Sequence, residues 1–183
     1  YGELLGFHFA ELLEAGEYKH IVEGGAGDAK LAMDVMRYMH KYRSDMVCNI
    51  QYWLIEPSVI QRKWQEEKLA SYGNQVVWHS GWDGVKKESV HGIIFGNELM
   101  DAFPVHRLGW DKKKQKWFEW GVAAEGGGFG WQRMDKPALK SLRNGTFQVP
   151  NELRQHLPDG FVTISSPEAA NWWHEAACRL GRG

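Results

Sequence analysis

Three polar residues follow a hydrophobic, strand-like stretch in residues 93–108, IIFGNELMDAFPVHRL. Asn97, Glu98 and Asp101 come directly after the apolar run, and Pro104 closes the segment. Burying a carboxylate without a partner is costly, so these acids are expected beyond the end of the strand. Carboxylates in that position can hold a cationic or hydrogen-bond-donating ligand. We therefore predict a site here; the alternative is a polar loop in which Asp101 caps a helix.

A second group surrounds a glycine turn in residues 22–32, VEGGAGDAKLA. Gly25 and Gly27 permit positive φ and close approach of a ligand to the backbone. Lys30 stands where a dinucleotide-binding turn carries a small residue, which disfavours a nicotinamide cofactor and a dehydrogenase. Glu23, just before the turn, would repel a phosphate but suits a cationic ligand. A purely structural glycine turn is the alternative.

A third candidate group is a single acid, Glu56, which ends the strand-like stretch QYWLIE. A carboxylate at the tip of the second strand of such a sheet is placed to accept hydrogen bonds from both ribose hydroxyls of a nucleoside. The alternative is an acid favoured by the dipole at a helix N-terminus. The glycine turn and Glu56 are independent features that describe one ligand, so we favour a nucleoside site.

These residues require elements that bring them together, and residues 1–107 alternate between helix-like and strand-like patterns. The order is α-β-α-β-α-β-loop-β, which predicts a parallel sheet with helices on both faces and right-handed crossovers. In such a sheet, ligands bind outside the carboxyl ends of the strands. The predicted helices and strands cover, in chain order, residues 1–16, 21–23, 29–43, 51–56, 58–73, 74–80 and 91–96.

The pattern changes after this point. Residues 106–123 predict two strands around a charged turn at residues 111–114, with Phe118 and Trp120 at alternate positions. The lysines of that turn are interpreted as a solvated hairpin tip. A final helix is predicted over residues 165–183, with Ser166 as its cap. One flexible glycine tract and two short helical or loop pieces lie between them: residues 126–128, 137–145 and 149–160.

Composition excludes several classes of function. The net charge of −1 gives no overall basic footprint for nucleic acid, and no apolar run approaches the roughly 20 residues that span a bilayer. Cys48 and Cys178 form no CxxC pair and the eight histidines show no ligand spacing, so we predict no metal site and a reducing compartment. Structural roles are predicted for the imidazoles and indoles nearest the site: His79, His91, His106, Trp172 and Trp173.

Residues 23–31, EGGAGDAKL, resemble the first motif of class I S-adenosylmethionine-dependent methyltransferases. The stretches YGELLG, WLIEPSVIQRKWQ, VVWHS and especially NELMDAFPVHR resemble the MidA-like family within that superfamily. This family includes a mitochondrial arginine methyltransferase that helps to assemble respiratory complex I, and many bacterial relatives. The resemblance extends from about residue 1 to at least Arg107 and is weaker through the last helix.

The resemblance implies a Rossmann-like methyltransferase sheet with a hairpin and helical insertion after the fourth strand, and S-adenosylmethionine as the cofactor. The ribose would contact Glu56, and Asn97 would also contact the cofactor. The family often carries an aspartate after the third strand, where this chain has other residues, so the adenine contacts are less defined. The methionine part is assigned to Glu23, Gly25, Ala26 and Gly27, and the adenine to Ser80, Gly81 and Trp82.

The implied activity is methylation of a protein arginine. Glu98 and Asp101 would fix the guanidinium bidentately, and Asn97 would shape the loop or accept a hydrogen bond. The alternative is a catalytically weak or inactive, methyltransferase-like assembly factor that binds a client protein. The protein partner would be a complex I subunit or its bacterial counterpart, with no nucleic acid partner. The compartment would be a bacterial cytoplasm or the mitochondrial matrix.

We expect one domain over residues 1–183. It would consist of a core over residues 1–107, an insertion on the substrate side over 108–165 and a C-terminal helix over 166–183. Relative to the family, the chain is expected to start later and to stop about where the fifth strand begins.

Overall fold

The computed structural model describes residues 1–145 and 147–183, which form two compact units. The first unit comprises residues 1–102 and 171–183, and the second comprises residues 103–170. In the described part of the chain, none of the helices is long and apolar enough to cross a membrane. The predicted division at residues 107 and 165 stays a prediction.

Within these described ranges the chain forms six α-helices and nine strands. The helices are α1 (Gly2–Gly16), α2 (Lys30–Tyr42), α3 (Val59–Leu69), α4 (Lys140–Arg143), α5 (Asn151–Arg154) and α6 (Pro167–Arg179). The strands are β1 (His20–Gly24), β2 (Gln51–Ile55), β3 (Val76–His79), β4 (Val90–Gly96), β5 (His106–Asp111), β6 (Lys116–Glu125), β7 (Gly128–Arg133), β8 (Val162–Ser165) and β9 (Leu180–Arg182).

The first unit contains a five-stranded sheet in the order β3-β2-β1-β4-β9, and all neighbouring strands run parallel. The predicted parallel sheet is confirmed. The strand order reverses between β1 and β4: after β1 the chain adds β2 and β3 on one side, and then returns to add β4 and β9 on the other side. A crevice forms at such a point, just outside the carboxyl ends of the two strands.

The sheet carries a hydrophobic layer on each face. Ile21 packs in a large cluster with residues of α1 and α2, whereas its neighbour Val22 packs in a second cluster that includes Ala176 of α6. Successive side chains of a strand point to opposite faces, so the two clusters lie on opposite sides of the sheet. The prediction that helices cover both faces is therefore confirmed.

Two glycines set the distance between α1 and α2. Gly2 and Gly6 are four residues apart, which places them on one face of the helix. A Cβ at Gly6 would lie 2.8 Å from the Cβ of Tyr38, and one at Gly2 would overlap the Cβ of Asp34. The glycines of the YGELLG motif therefore let α1 pack closely against α2.

The second unit is built on an antiparallel sheet in the order β7-β6-β5-β8. The predicted hairpin is confirmed: β5 and β6 pair across the charged turn, with Asp111 opposite Lys116. The carboxylate of Glu119 is buried, where it accepts hydrogen bonds from the backbone N–H of Leu139 and from His106. Strand β8, at the opposite edge of the sheet from β7, was not predicted.

The glycine tract predicted as flexible is a tight turn instead. Gly126 and Gly127 have φ of 56° and 84°, and Glu125 pairs directly with Gly128. Two consecutive residues at positive φ match the twist of a β-hairpin, so the turn joins β6 to β7. The prediction of a flexible tract was wrong because it took the glycines as a linker when their conformational freedom serves a hairpin.

The final helix is shorter than predicted. The Ser166 hydroxyl accepts a hydrogen bond from the N–H of Ala169 at 3.3 Å, so the predicted cap is confirmed. The helix ends at Arg179, and the next residues form β9, which pairs with β4 through Leu180 and Val90. The prediction of helix as far as residue 183 was wrong, because residues 180–182 form a short fifth strand of the parallel sheet. Strand β9 has only three residues, which are too few to show the alternation of apolar and polar side chains by which a strand is predicted.

Candidate functional site

An open cleft of about 500 Å³ lies in the first unit at the carboxyl ends of β1 and β4. Its volume is in the range of small-molecule sites, about 300–1,000 Å³. The start of α1, the glycine turn, the start of α2 and the end of β4 form its wall. It is lined by Tyr1, Gly2, Glu23, Gly25, Ala26, Gly27, Asp28, Lys30, Leu31, Asp34 and Asn97.

The glycine turn has the backbone conformation that its sequence predicts. Gly25 and Gly27 have φ of 68° and 54°, in the left-handed region that side chains disfavour. A Cβ built at Gly27 meets no heavy atom within 4 Å, so this backbone borders open space. Gly27 therefore leaves room for a ligand to approach the main chain closely.

Glu23 lies at the end of β1 and is buried, with only 2% of its surface exposed. The hydroxyl of Tyr52, on β2, donates a 2.6 Å hydrogen bond to Glu23 Oε2. Burial raises the pKa of Glu23 to about 7, and the Tyr52 hydrogen bond opposes that rise. A cationic ligand beside Glu23 would favour the ionised carboxylate.

Glu56 lies just beyond the end of β2 and is also buried. Its Oε1 accepts a hydrogen bond from the backbone N–H of Ser58 at 2.8 Å, and its Oε2 accepts one from Gln65 Nε2 at 3.1 Å. Each carboxylate oxygen has two lone pairs, so one acceptor position on each oxygen remains for a ligand hydroxyl. The predicted contact of Glu56 with a ribose stays a prediction.

Neither buried acid has a basic partner in the part of the chain that the structure describes. Among the described residues, no lysine, arginine or histidine nitrogen lies within 4.0 Å of a carboxylate oxygen of Glu23 or Glu56. Lys30, the nearest cation along the chain, pairs with Asp34 at 2.8 Å instead. Of the two acids, Glu23 lines the cleft, whereas Glu56 is not among the described lining residues, so the contact of Glu56 with a ligand stays a prediction.

The three polar residues after β4 have different positions. Asn97 lines the cleft, and its Oδ1 accepts a 2.9 Å hydrogen bond from the Tyr1 hydroxyl. Glu98 and Asp101 are exposed and do not belong to the described lining of the cleft. Glu98 has a φ of 53°, a left-handed conformation that is uncommon for a residue with a side chain. The catalytic roles of these three residues stay predictions.

Leu99 was not predicted to take part, yet it packs over the strand ends. A Cβ at Gly24, Gly25 or Gly96 would lie within 2.9 Å of a Leu99 side-chain carbon. The Leu99 side chain thus covers the glycines at the ends of β1 and β4. The apolar pair Leu99 and Met100 between the polar residues of NELMD is the sequence signal for an inward-facing side chain.

The residues predicted to hold adenine follow β3. Ser80 is exposed and Gly81 is half-buried. Trp82 is buried in the second hydrophobic cluster, where its ring meets the edge of Trp172 at a centroid distance of 5.1 Å. The carbonyl of Trp82 also accepts a hydrogen bond from Arg179. Trp82 thus forms part of the core, and the adenine contacts stay predictions.

The other rings near the site have packing or structural contacts. Trp173 donates its indole N–H to the sulfur of Met100 at 3.0 Å. His79 is half-buried on β3, and burial lowers its pKa. His20, which was not predicted, is buried with a pKa of about 4 because of desolvation, and its Nδ1 accepts a hydrogen bond from the N–H of His91. Over residues 1–145 and 147–183, no group of metal-ligating side chains is arranged for an ion.

A family model whose description reads "Putative S-adenosyl-L-methionine-dependent methyltransferase" matches residues 4–183. No curated protein matches the chain.

Two solved structures from Burkholderia thailandensis, members of one superfamily, cover 100% of the chain at 23% identity, which bears on the fold alone. An uncharacterized protein has a TM-score of 0.71, and a relative bound to S-adenosyl-homocysteine has a TM-score of 0.70. The chain spans less than half of their length, 46% and 44%.

Proposed function

The chain belongs to this family of S-adenosyl-L-methionine-dependent methyltransferases, and on that premise we propose that it methylates a protein nitrogen, an arginine side chain. The observation that carries the proposal is the pair of buried acids, Glu23 and Glu56, around an open glycine turn at the strand-order reversal. Both acids lack a basic partner in the described residues. S-adenosylmethionine is a cation with a ribose diol, which matches both needs.

The cofactor of the family fits the residues present. Glu56 would accept hydrogen bonds from the ribose hydroxyls, and Glu23 would face the positively charged methionine part together with Asn97. The backbone at Gly25, Ala26 and Gly27 would border the same ligand, because Gly27 leaves open space beside the main chain. The adenine would lie toward the residues that follow β3, which are Ser80, Gly81 and Trp82.

When bound, S-adenosylmethionine supplies a methyl group carried on a positively charged sulfur. The residues of this chain would hold the acceptor nitrogen next to that methyl, and such positioning provides much of the rate of a group transfer. The exposed carboxylates of Glu98 and Asp101 bind the planar guanidinium of the acceptor. Since a free guanidinium is protonated at neutral pH, one of these carboxylates also takes up the proton that the nitrogen releases.

The proposed acceptor protein and compartment rest on the motif that follows β4. Residues 97–107, NELMDAFPVHR, resemble the MidA-like family, so the proposed acceptor is a subunit of respiratory complex I or its bacterial counterpart. The proposed compartment is the cytoplasm of a bacterium or the mitochondrial matrix. The solved relative bound to S-adenosyl-homocysteine supports the choice of cofactor.

Two measurements test the proposal. Calorimetry with S-adenosyl-homocysteine should give saturable binding to the full chain, and Glu56→Ala should weaken it. Incubation with radiolabelled S-adenosylmethionine and an arginine-containing peptide array should label arginine peptides, while lysine-substituted peptides stay unlabelled. Label on lysine or on no peptide would contradict the arginine assignment, and absence of cofactor binding would contradict the whole proposal.

A second candidate function is a methyltransferase-like assembly factor that binds a client protein without turnover. The observation that favours it is a set of exposed apolar side chains on the antiparallel sheet: Val122, Phe129, Trp131 and Ile164. Aromatic residues are enriched at protein interfaces. Binding of S-adenosyl-homocysteine without any methyl transfer to the client would favour this function over the first.

A further inference from the structure

We infer that Gln65 is a positioning residue for cofactor binding, whose side-chain amide holds Glu56 and the glycine turn in one fixed arrangement. This inference rests on the function proposed above and concerns the same site. Gln65 lies on α3 and is fully buried, although glutamine is a mostly exposed residue type. A buried amide of this kind must satisfy its donors and its acceptor within the protein.

The amide makes three hydrogen bonds, each to a different part of the site. Gln65 Nε2 donates to the carbonyl oxygen of Gly27 at 2.9 Å and to Glu56 Oε2 at 3.1 Å. Gln65 Oε1 accepts from the indole Nε1 of Trp78, on β3, at 3.1 Å. The amide therefore links the turn after β1, the carboxylate after β2 and a residue of β3.

The chemistry of the partners permits only one orientation of the amide. The indole N–H of Trp78 can only donate, so it must face the amide oxygen of Gln65. The Gly27 carbonyl and the ionised Glu56 carboxylate can only accept, so they must face the amide nitrogen. A flipped amide would lose all three hydrogen bonds, and a glutamate in this position would have no N–H to donate.

The result is a carboxylate whose direction is set before a ligand arrives. Ser58 fixes one oxygen of Glu56 and Gln65 fixes the other. Under the proposed function, the remaining acceptor positions of both oxygens would serve the ribose hydroxyls. Because the same amide also holds Gly27, the position of the Glu56 carboxylate is fixed relative to the backbone of the glycine turn. Preorganisation of this kind increases affinity by lowering the ordering cost of binding.

The test compares S-adenosyl-homocysteine with its 2′-deoxy analogue by calorimetry on the full chain. The wild-type chain should prefer the parent compound by about 10-fold or more, since a hydrogen bond from the missing hydroxyl goes to a charged group. In Gln65→Leu the preference should fall below about 3-fold, because Glu56 is no longer held toward the ribose. A purely structural effect would weaken both ligands equally and leave the ratio unchanged.

Gln75 offers a matched control. Its Nε2 donates to the carbonyl of Val47 at 2.7 Å and its Oε1 lies 2.8 Å from His40 Nε2, so it also joins a main-chain carbonyl and a ring nitrogen. These partners are not among the residues of the site. Gln75→Leu should therefore keep the wild-type preference between the two ligands.

Gln65→Glu provides a second variant of nearly the same size in case the leucine variant does not fold. It keeps an acceptor for Trp78 but loses the donors to Gly27 and Glu56, so the preference should again fall. A wild-type ratio in either folded variant overturns the inference and leaves the proposed function intact. If the wild-type chain binds no S-adenosyl-homocysteine, the proposed function fails and this inference fails with it.

Discussion

The hydroxyl of Tyr52 lies 2.6 Å from the carboxylate of Glu23, and both groups are removed from solvent. They lie on the paired strands β1 and β2, where Tyr52 is opposite Ile21. Burial raises the pKa of both side chains, to about 7 for Glu23 and well above its ordinary value for Tyr52. Tyr52 therefore remains a donor at neutral pH, while Glu23 changes its charge in that range.

Removing this donor should shift the pH dependence of cofactor binding. The Tyr52 hydrogen bond lowers the pKa of Glu23, so Tyr52→Phe should raise it further above 7. If a cationic ligand requires ionised Glu23, the variant should lose affinity at a higher pH than the wild type. Calorimetry with S-adenosylmethionine should give a ratio of wild-type to variant affinity that is several-fold at about pH 7 and approaches one at about pH 9.

The ratio of the two affinities removes the effect of the ligand's own titration, because that titration is the same for both proteins. Tyr72→Phe is a suitable control because the Tyr72 hydroxyl donates to the carbonyl of Met33 at 3.3 Å, outside the lining of the cleft. A pH-independent ratio for Tyr52→Phe would contradict the role assigned to Glu23.

Glu23→Gln should stabilise the ligand-free protein at high pH. The pKa of Glu23 is raised from its ordinary 4.5 to about 7 in the folded chain, so the folded state binds a proton more tightly than the unfolded state. The wild-type chain therefore loses stability as pH rises through 7, and the glutamine variant does not. At about 1.4 kcal/mol per pKa unit, the difference is about 3 kcal/mol well above pH 7.

Urea denaturation of both proteins at several pH values checks this sign. The two unfolding curves should differ most above about pH 8 and converge below about pH 4, where the carboxyl is protonated in both states. A glutamine variant that is less stable than the wild type at high pH would show that the ionised carboxylate is stabilised in the fold by other groups.

Glu56→Ala should weaken cofactor binding. A hydrogen bond to a charged group contributes about 1.5–3 kcal/mol, which corresponds to a roughly 10- to 100-fold loss of affinity for S-adenosyl-homocysteine. The variant also leaves the donors of Ser58 and Gln65 unpaired, so its unfolding should be measured alongside. Equal affinity of the folded variant in calorimetry would remove Glu56 from the site.

Glu98→Gln should reduce turnover by at least about 10-fold with little effect on cofactor affinity, because the substitution removes charge from the proposed acceptor site and leaves the cleft lining unchanged. Glu88 is a matched control, since it is also an exposed glutamate with a left-handed φ, 56° against 53° for Glu98. Glu88→Gln should keep wild-type turnover. Methyl transfer that is equal in the two variants would show that Glu98 has no catalytic role.

Much of the sheet was predictable because hydrophobic periodicity is a local property. The glycine turn and the acids at the strand tips lie where β-α-β alternation places them. The residues that hold those acids were not predictable, because Tyr52 and Gln65 lie 29 and 9 positions from their partners Glu23 and Glu56. Such pairings depend on the register of neighbouring strands and on the rotation of a helix about its axis. A polar residue at a buried helical position was the available signal for Gln65.

The elements after β4 were harder to predict for a physical reason. Strand β8 has an alternating pattern of only four residues, and β9 has three. Each is a strand because it pairs with the edge of a sheet: β8 pairs with β5, and β9 pairs with β4. Non-local pairing of this kind leaves little trace in local sequence, whereas the charged turn of the β5–β6 hairpin was apparent.

The close contact of α1 with α2 at Gly2 and Gly6 also determines where the start of α1 lies at the entrance to the cleft. The helix they belong to begins beside Tyr1, whose hydroxyl reaches Asn97. Any larger side chain at either glycine would lift α1 from α2 and carry this hydroxyl outward. Gly2 and Gly6 thus set the spacing of α1 and α2 beside the cleft, and a larger side chain at Gly6 would open the cleft without changing any residue that lines it.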